Sequence, residues 1–331
     1  MTSLPAPDVS VVVPVFNEEQ NVAPLCAAIR EALAAWPRSF ELVLVDDGST
    51  DRTLERIRRE AGADPRVRPV CLRRNAGQTA AMAAGFARAR GRVIVSMDGD
   101  LQNDPRDIPL VVGRLDHGYD VVCGWRKQRQ DAFLSRTLPS RIANRLIAWI
   151  TGVPIHDNGC SLKAYRAEVV QALNLYSDMH RFLPALSSMT GARIDEIVVR
   201  HHPRTRGQSK YGISRTFKVL ADMITIKMIT QFSSRPGLWF ATLSLPWLGL
   251  GVVATGAWLL GSGTGQGRTV VFSSLAVVAL YLGSGMLGLS LISEILLAHH
   301  DHRDLRRLAE VLTVEIEAGR PAEAAGRGAG A

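Results

Sequence analysis
Two stretches near the C-terminus limit what this chain can become: residues 237–261 hold no charged side chain, and neither do residues 269–293. Either is long enough to cross a bilayer, which takes ~20 apolar residues in a helix. The link, residues 262–268, is too short for a domain, so the two form a hairpin with both outer ends on one side. Arg204, Arg206, Lys210, Arg215, Lys218, Lys227 and Arg235 precede the first stretch and Arg303, Arg306 and Arg307 follow the second, against Arg268 alone in the link. That asymmetry places both flanks in the cytoplasm. A pair of buried helices in a soluble protein is the alternative; length, glycine and tryptophan content and flanking charge argue against it.

Residues 213–232 repeat apolar side chains at helical spacing, with Arg215, Lys218 and Asp222 at offset positions. Such a basic two-faced helix lies in the headgroup layer or packs on the preceding domain. Leu305, Leu308, Leu312 and Ile316 mark a last amphipathic helix, and residues from 320 onward read as a disordered tail. The expected division is a catalytic domain over 1–212, juxtamembrane helices over 213–235, two spans over 236–298 and a cytoplasmic helix with tail over 299–331.

The first two hundred residues alternate β-rich and helical runs. Strands are expected at 9–15, 41–47, 67–72, 93–98 and 119–124, and helices at 22–35, 53–60, 79–89 and 108–116. That alternation predicts an α/β domain with a mostly parallel, Rossmann-like sheet covered on both faces. Ligands bind such sheets at the carboxyl ends of the strands. Acidic clusters sit at those ends: PVFNEE after the first strand, DDGSTD after the second and DGDLQ after the fourth.

Asp98 and Asp100, at i and i+2 beside Gly99, can hold a divalent cation and leave positions open for diphosphate oxygens, with Gln102 adding a neutral oxygen. As a lone motif this could be a turn; its place at the same sheet edge as two other acidic clusters favours function. Asp46 and Asp47 suit base or ribose hydrogen bonds, and Ser49 and Asp51 suit capping of the helix at Thr53. Cys26, Cys71, Cys123 and Cys160 lack metal-site spacing, and the chain opens without a signal peptide, so they are expected to be buried, reduced thiols. The net charge of +8 suits nucleic acid, an anionic membrane or a phosphate-rich substrate equally.

The set PVFNEE, DDGSTD, RNAGQTAA and DGDLQ, followed by a membrane hairpin, resembles the family-2 glycosyltransferases of GT-A fold. It is most similar to their dolichol-phosphate mannose synthase and polyisoprenyl-phosphate glycosyltransferase branch, of the bacterial undecaprenyl-phosphate type. The resemblance runs from about residue 9 to 211. It implies an inverting, metal-dependent transfer of a sugar from a nucleotide-sugar donor to polyprenyl phosphate at the cytoplasmic membrane, with no nucleic-acid partner. UDP is favoured over GDP as the donor nucleotide. By the resemblance Pro14, Phe16, Asn17, Glu18, Asp46, Asp47, Asp98 and Gly99 contact the nucleotide, and Asp98, Asp100 and Gln102 hold Mg2+ or Mn2+.

The acceptor half is basic. Arg126 follows the fifth strand, and Arg136, Ser140 and Asn144 share one helix face at four-residue spacing. An arginine fork with a hydroxyl suits a phosphate, and relatives place a comparable set on the lipid phosphate, so Arg126, Arg136 and Ser140 are assigned there. Arg141 and Arg145 read as a solvated face. Arg204 and Lys210 flank Gly207 in a segment resembling the family's RxxGxSK, where two cations could fold over the departing diphosphate; a basic patch on anionic lipid is the plainer reading. Asp157 is the leading catalytic candidate with Asp100, either as a base or as an orienting group, since a phosphate acceptor is already ionised. His156 reads as a packed or hydrogen-bonding histidine rather than a proton shuttle. His201 and His202, adjacent on an extended run, point to opposite faces and do not form a metal pair. Paired spans also offer surfaces for a homo-oligomer. Two rivals are a polymer-extending synthase, whose QxxRW motif is missing from the sequence, and a non-catalytic membrane scaffold. An ATPase-type GxxxxGK[ST] loop is also missing.

Overall fold
The computed structural model describes residues 6–127, 138–173, 179–203, 224–225, 227–228, 232, 235–261 and 266–299. Strands β1 (Val9–Val15), β2 (Phe40–Asp46), β3 (Val67–Cys71), β4 (Val93–Ser96), β5 (Val121–Trp125), β6 (Lys163–Arg166) and β7 (Ile194–Val198) form one sheet in the order β3-β2-β1-β4-β6-β5-β7. Every pairing is parallel except those of β6, which runs antiparallel between β4 and β5.

β1 reads VSVVVPV and lies in the centre of the sheet, and this run of β-branched residues is buried on both faces, as a covered parallel strand requires. Val9, Val11, Val13 and Val15 face a core shared with Leu25 and Ile29 of α1 (Val22–Ala32), Ile57 of α2 (Thr53–Ala63) and Val111 and Leu115 of α4 (Ile108–Leu115). Val12 faces the opposite core, with Ala81, Met82 and Phe86 of α3 (Gln78–Arg88) and Val169 of α6 (Ala167–Gln171). A third cluster joins Ile147 and Ile150 of α5 (Leu138–Thr151) to Phe182 and to Leu186 of α7 (Leu183–Ser188).

Several boundaries differ from the sequence expectation: β2 runs over Phe40–Asp46, α2 extends to Ala63, α3 spans Gln78–Arg88, and β3 and α4 each stop one residue early. α1 stops at Ala32 instead of 35, since Leu33 at φ -103 and ψ 4 has already left helical geometry. β4 ends at Ser96 rather than 98, because the Asp98 amide leaves the ladder and donates to Ser161 Oγ at 3.2 Å. β5 begins at Val121 and reaches Trp125, where it still pairs with Val198. Three of the cysteines are buried free thiols, but Cys71, at the open end of edge strand β3, is exposed. Burial pushes the Cys26 and Cys123 thiols up to about 12, so both stay protonated at neutral pH.

The two uncharged stretches form α8 (Pro236–Gly261) and α9 (Gln266–His299), which pack against one another. Both are long and apolar enough to cross a membrane, and only 17% of the most apolar window of each is buried. Val252, Leu260, Val277 and Leu291 are among the side chains they expose, so these are not core helices of a soluble globule. Glycines set their separation: a Cβ at Gly283 would stand 2.6 Å from Leu248 Cδ2, and one at Gly251 2.7 Å from Leu280. Ser290 Oγ donates to the Gly237 carbonyl at 2.8 Å, and Gly237 N donates to Glu294 Oε1 at 3.0 Å. Most of the helix expected at 213–232 lies outside the described residues. Within it, Lys227 Nζ sits 5.0 Å from the centroid of the exposed Trp149 ring on α5.

Candidate active site
The loops after β1 and β2 are zipped together by side chains from both. Asn17 N donates to Ser49 Oγ at 2.9 Å and Asn17 Oδ1 accepts from Thr50 N at 2.8 Å, while Glu18 N donates to Thr53 Oγ1 at 2.9 Å. Asn17 reaches this geometry at φ 53, a left-handed conformation that asparagine tolerates better than most residues. Ser49 was expected to cap α2; instead it holds the β1 loop, and Asp51 Oδ1 takes the Thr53 amide at 3.0 Å in the capping role. Asn17 therefore acts as a loop pin. Pro14 is the penultimate residue of β1, and Phe16 and Glu18 stand half-buried beside this joint.

Asp46 and Asp47 are both buried and have different work. Asp46 Oδ1 accepts from Ser49 N at 3.2 Å. Asp47 receives the RNAGQ loop: Ala76 N at 2.8 Å on Oδ1, and Gly77 N at 3.0 Å and Asn75 Nδ2 at 3.1 Å on Oδ2. Three donors account for most of the acceptor capacity of its carboxylate, so Asp47 holds the RNAGQ loop in place. Gly48 makes that approach feasible. Its φ is +67, and a Cβ there would lie 2.6 Å from Asn75 N.

The DGDLQ turn crosses the carboxyl end of β1. A Cβ at Gly99 would stand 2.6 Å from Val15 Cγ1, so only glycine lets Asp98 and Asp100 leave the sheet on both sides of it. Leu101 follows at φ 61, a strained conformation for a branched residue and one that clusters at working sites. Asp98 Oδ1 accepts from Gln78 Nε2 at 2.7 Å, and Asp100 Oδ1 accepts from Gln102 N at 3.1 Å. Among the described residues no three His, Cys, Asp or Glu side chains could cage a metal alone. Two hard carboxylates on a pinched turn nevertheless fit a cation whose remaining ligands are diphosphate oxygens and water.

The turn after α5 faces this edge. Ser161 Oγ accepts both Asp98 N at 3.2 Å and Asn103 Nδ2 at 2.7 Å, and Ser96 Oγ donates to Ser161 O at 2.8 Å. Four residues earlier, Asp157 is gripped by Arg126: Nε to Oδ2 at 2.7 Å and Nη2 to Oδ1 at 2.9 Å. Burial alone would lower the Arg126 pKa; the paired Asp157 outweighs it, Asp98 adds its field, and the guanidinium is held above its ordinary value. Arg126 Nη2 lies 3.3 Å from where a Cβ on Gly159 would be, so the ion pair and the DGD turn flank one short segment. Glu196 of β7 completes the frame, accepting Asp157 N at 3.0 Å and bonding His156 Nδ1 at 2.7 Å. His156 stacks on Trp125 at 4.5 Å and stays exposed, so it is the hydrogen-bonding histidine of the two expected alternatives.

Behind DGDLQ, Asp104 and Asp107 anchor the end of β7. Arg200 Nη2 reaches Asp107 Oδ1 at 2.6 Å, His202 Nε2 reaches Asp104 Oδ2 at 3.1 Å, and His202 N donates to Gln102 O at 2.9 Å. His202 thus belongs to this network.

Of the acceptor residues, Arg126 stands at the site, and the Ser140 backbone lies in α5, its side chain being outside the described residues, as are Arg136, Arg204 and Lys210 altogether. Arg145 is exposed. Gln78, Asn158, Ser161, Lys163 and Glu196 were not anticipated. Gln78 lies in plain view inside RNAGQTAA; Lys163 and Glu196 sit in short strands whose charge hides them, and Asn158 and Ser161 in a turn with no local pattern.

Residues 10–173 match the model of glycosyl transferase family 2. Dodecaprenyl-phosphate galacturonate synthase from Rhizobium johnstonii is 49% identical over 251 residues, 75% of this chain and 73% of that protein. Undecaprenyl-phosphate 4-deoxy-4-formamido-L-arabinose transferase from Pseudomonas aeruginosa is 37% identical over 303 residues, 89% of this chain and 87% of that protein. The solved glucosyl-3-phosphoglycerate synthase of Mycobacterium tuberculosis, in complex with phosphoglyceric acid, overlays with a TM-score of 0.51 at 19% identity, over 68% of this chain and 80% of that one, a likeness of fold. With a GT-A sheet and relatives of this kind, the chain belongs to glycosyl transferase family 2, in its polyprenyl-phosphate glycosyltransferase branch.

Proposed function
We propose that the protein transfers a sugar from a nucleoside diphosphate to a polyprenyl phosphate at the cytoplasmic face of a membrane, inverting the anomeric carbon in one displacement. The observation that carries this reading is the opposition across residues 157–161. Ser161 Oγ at one end of this segment accepts the Asp98 amide at 3.2 Å, and Arg126 Nη2 lies 3.3 Å from where a Cβ on Gly159 would be, so carboxylate and guanidinium flank the same five residues.

In this reading the nucleoside lies over the joined β1 and β2 loops, against Pro14, Phe16, Glu18 and Asp46. UDP is the favoured nucleotide. Asp98 and Asp100, with Gln102, would hold Mg2+ or Mn2+, which when bound offsets charge on the leaving diphosphate. Arg126, Arg136 and Ser140 would orient the acceptor phosphate opposite that leaving group, and Arg204 and Lys210 would cover the diphosphate. Asp157 acts as a positioning group: both of its oxygens are engaged by Arg126, and a phosphate nucleophile needs no base. The hairpin keeps the site at the bilayer surface, where a polyprenyl chain must remain, with both flanks cytoplasmic. The relatives named above carry different sugars, so kinship leaves the sugar open.

The test is a rate comparison with radiolabelled nucleotide sugar and polyprenyl phosphate. Asp100→Ala is expected to lose about 100-fold or more in kcat. A wild-type rate in that variant would overturn the assignment of the acidic edge.

A further inference from the structure
A pocket opens beside Asp98 on the α3 face of the sheet, lined among others by Gln78, Asn158, Lys163, His180 and Arg181. Lys163 is the unusual member. It is 3% exposed, at the first position of β6 between its ladder partners Ser96 and Cys123, and its ammonium donates to the Asn158 carbonyl at 3.0 Å. Among the described residues no carboxylate lies within ion-pair distance of it. A buried ammonium needs a counter-charge or several acceptors, and one carbonyl supplies neither in full. Beside it, Asn158 Nδ2 is buried with no acceptor. Two groups in one pocket therefore offer donors and lack acceptors.

A ligand group that only accepts, and is negatively charged, completes such a pocket; a hydroxyl would bring a donor of its own without charge. The position is fixed relative to the reaction, since Ser161 ties the 158–161 turn to the Asp98 amide. Resting on the reading of the protein as a nucleotide-sugar transferase, we propose that the donor sugar is a uronic acid and that Lys163 and Asn158 bind its carboxylate. Lys163 and Asn158 are then the specificity residues for acidic over neutral sugars. His180 is set in the same wall by its bond to Thr79 Oγ1 at 2.8 Å.

The experiment uses the full chain in lipid nanodiscs with polyprenyl phosphate and matched donors: UDP-galacturonate with UDP-galactose, UDP-glucuronate with UDP-glucose, and GDP-mannuronate with GDP-mannose. The wild type should prefer one uronate over its neutral partner by about 100-fold in kcat/KM. Lys163→Met should collapse that ratio towards one. Asn158→Asp, near-isosteric and set to repel a carboxylate, should invert it, and nucleotide-induced thermal shifts verify that each variant folds. Equal loss on both donors in both folded variants would mean that these residues serve the shared diphosphate, and would overturn the proposal. So would a wild type that uses the neutral sugars as well or better. Absence of lipid-linked product from every donor would instead overturn the underlying functional reading, and the proposal with it.

Discussion

The Arg126 guanidinium lies in a two-point bond with Asp157, at 2.7 and 2.9 Å, with the Asp157 side chain 4% exposed and that of Arg126 13%. A buried pair of this kind adds little net stability, yet removing one partner costs about 3–5 kcal/mol because a desolvated charge is left behind. The pair is best understood as aiming: Asp157 fixes the plane of the guanidinium and leaves its outer edge to a second anion.

If Asp157 positions Arg126 rather than accepting a proton, the two should be strongly coupled. Asp157→Asn is expected to raise the KM for polyprenyl phosphate and to leave the shape of the kcat profile against pH unchanged. In an Arg126→Met background the Asp157→Asn effect should shrink to about a tenth of its single-variant size. A basic limb that vanishes in Asp157→Asn would restore the carboxylate to general-base duty.

Acid should loosen the support behind DGDLQ. Burial would raise the Asp104 pKa, but hydrogen bonds from Arg106 and His202 and the charge of Arg200 outweigh it and hold the carboxyl well below the usual range. A folded value below the unfolded one, about 3.9, means this contribution is complete above that pH and is lost as pH falls through the folded value. Asp104→Asn should therefore lower stability at pH 7 and flatten the fall below about pH 4. Denaturant midpoints measured across that range check the sign.

Gly48→Ala should unfold the nucleotide edge. The new Cβ would meet the Arg74–Asn75 backbone at a left-handed φ of +67, so strain and overlap add to about 3 kcal/mol. Chemical denaturation and nucleotide binding should fall together, whereas Gly62→Ala, whose Cβ would meet nothing within 4 Å, should be neutral or stabilising.

Gly283→Leu should force α8 and α9 apart, since even a Cβ there would meet Leu248. A cysteine pair placed across the interface should cross-link in the parent and fail to do so in the variant. Undiminished cross-linking would show that the spans do not rest on this contact.

The sequence reveals the fold wherever one residue type repeats with one purpose. VSVVVPV can only be a strand covered on both faces, and β1 begins and ends where that run does. The charge-free spans are equally legible, as are the three acidic clusters at strand ends. β6 and β7 escape, because Lys163 and Arg166, and Asp195 and Glu196, break the apolar pattern by which a short strand is recognised. Lys163 looks like a surface residue until its neighbours close over it. Asp47 illustrates the converse: an acidic pair at a ligand-binding edge suggests two ligand contacts, while the geometry has one member holding the Asn75 side chain and the Ala76 and Gly77 amides. The bond between Arg126 and Asp157 spans 31 residues and a change of strand direction, and no local pattern encodes it.

The central claim is that sugar passes to a lipid phosphate at this edge, and the choice of acceptor tests it most directly. The full chain in nanodiscs should be given one radiolabelled nucleotide sugar with polyprenyl phosphate, with polyprenol, or with a sugar polymer, and the organic phase counted. The account predicts a single sugar on polyprenyl phosphate, none on polyprenol, and loss of the product in Arg126→Met. Label that accumulates in a growing polymer, or transfer to polyprenol at the same rate as to its phosphate, would contradict it.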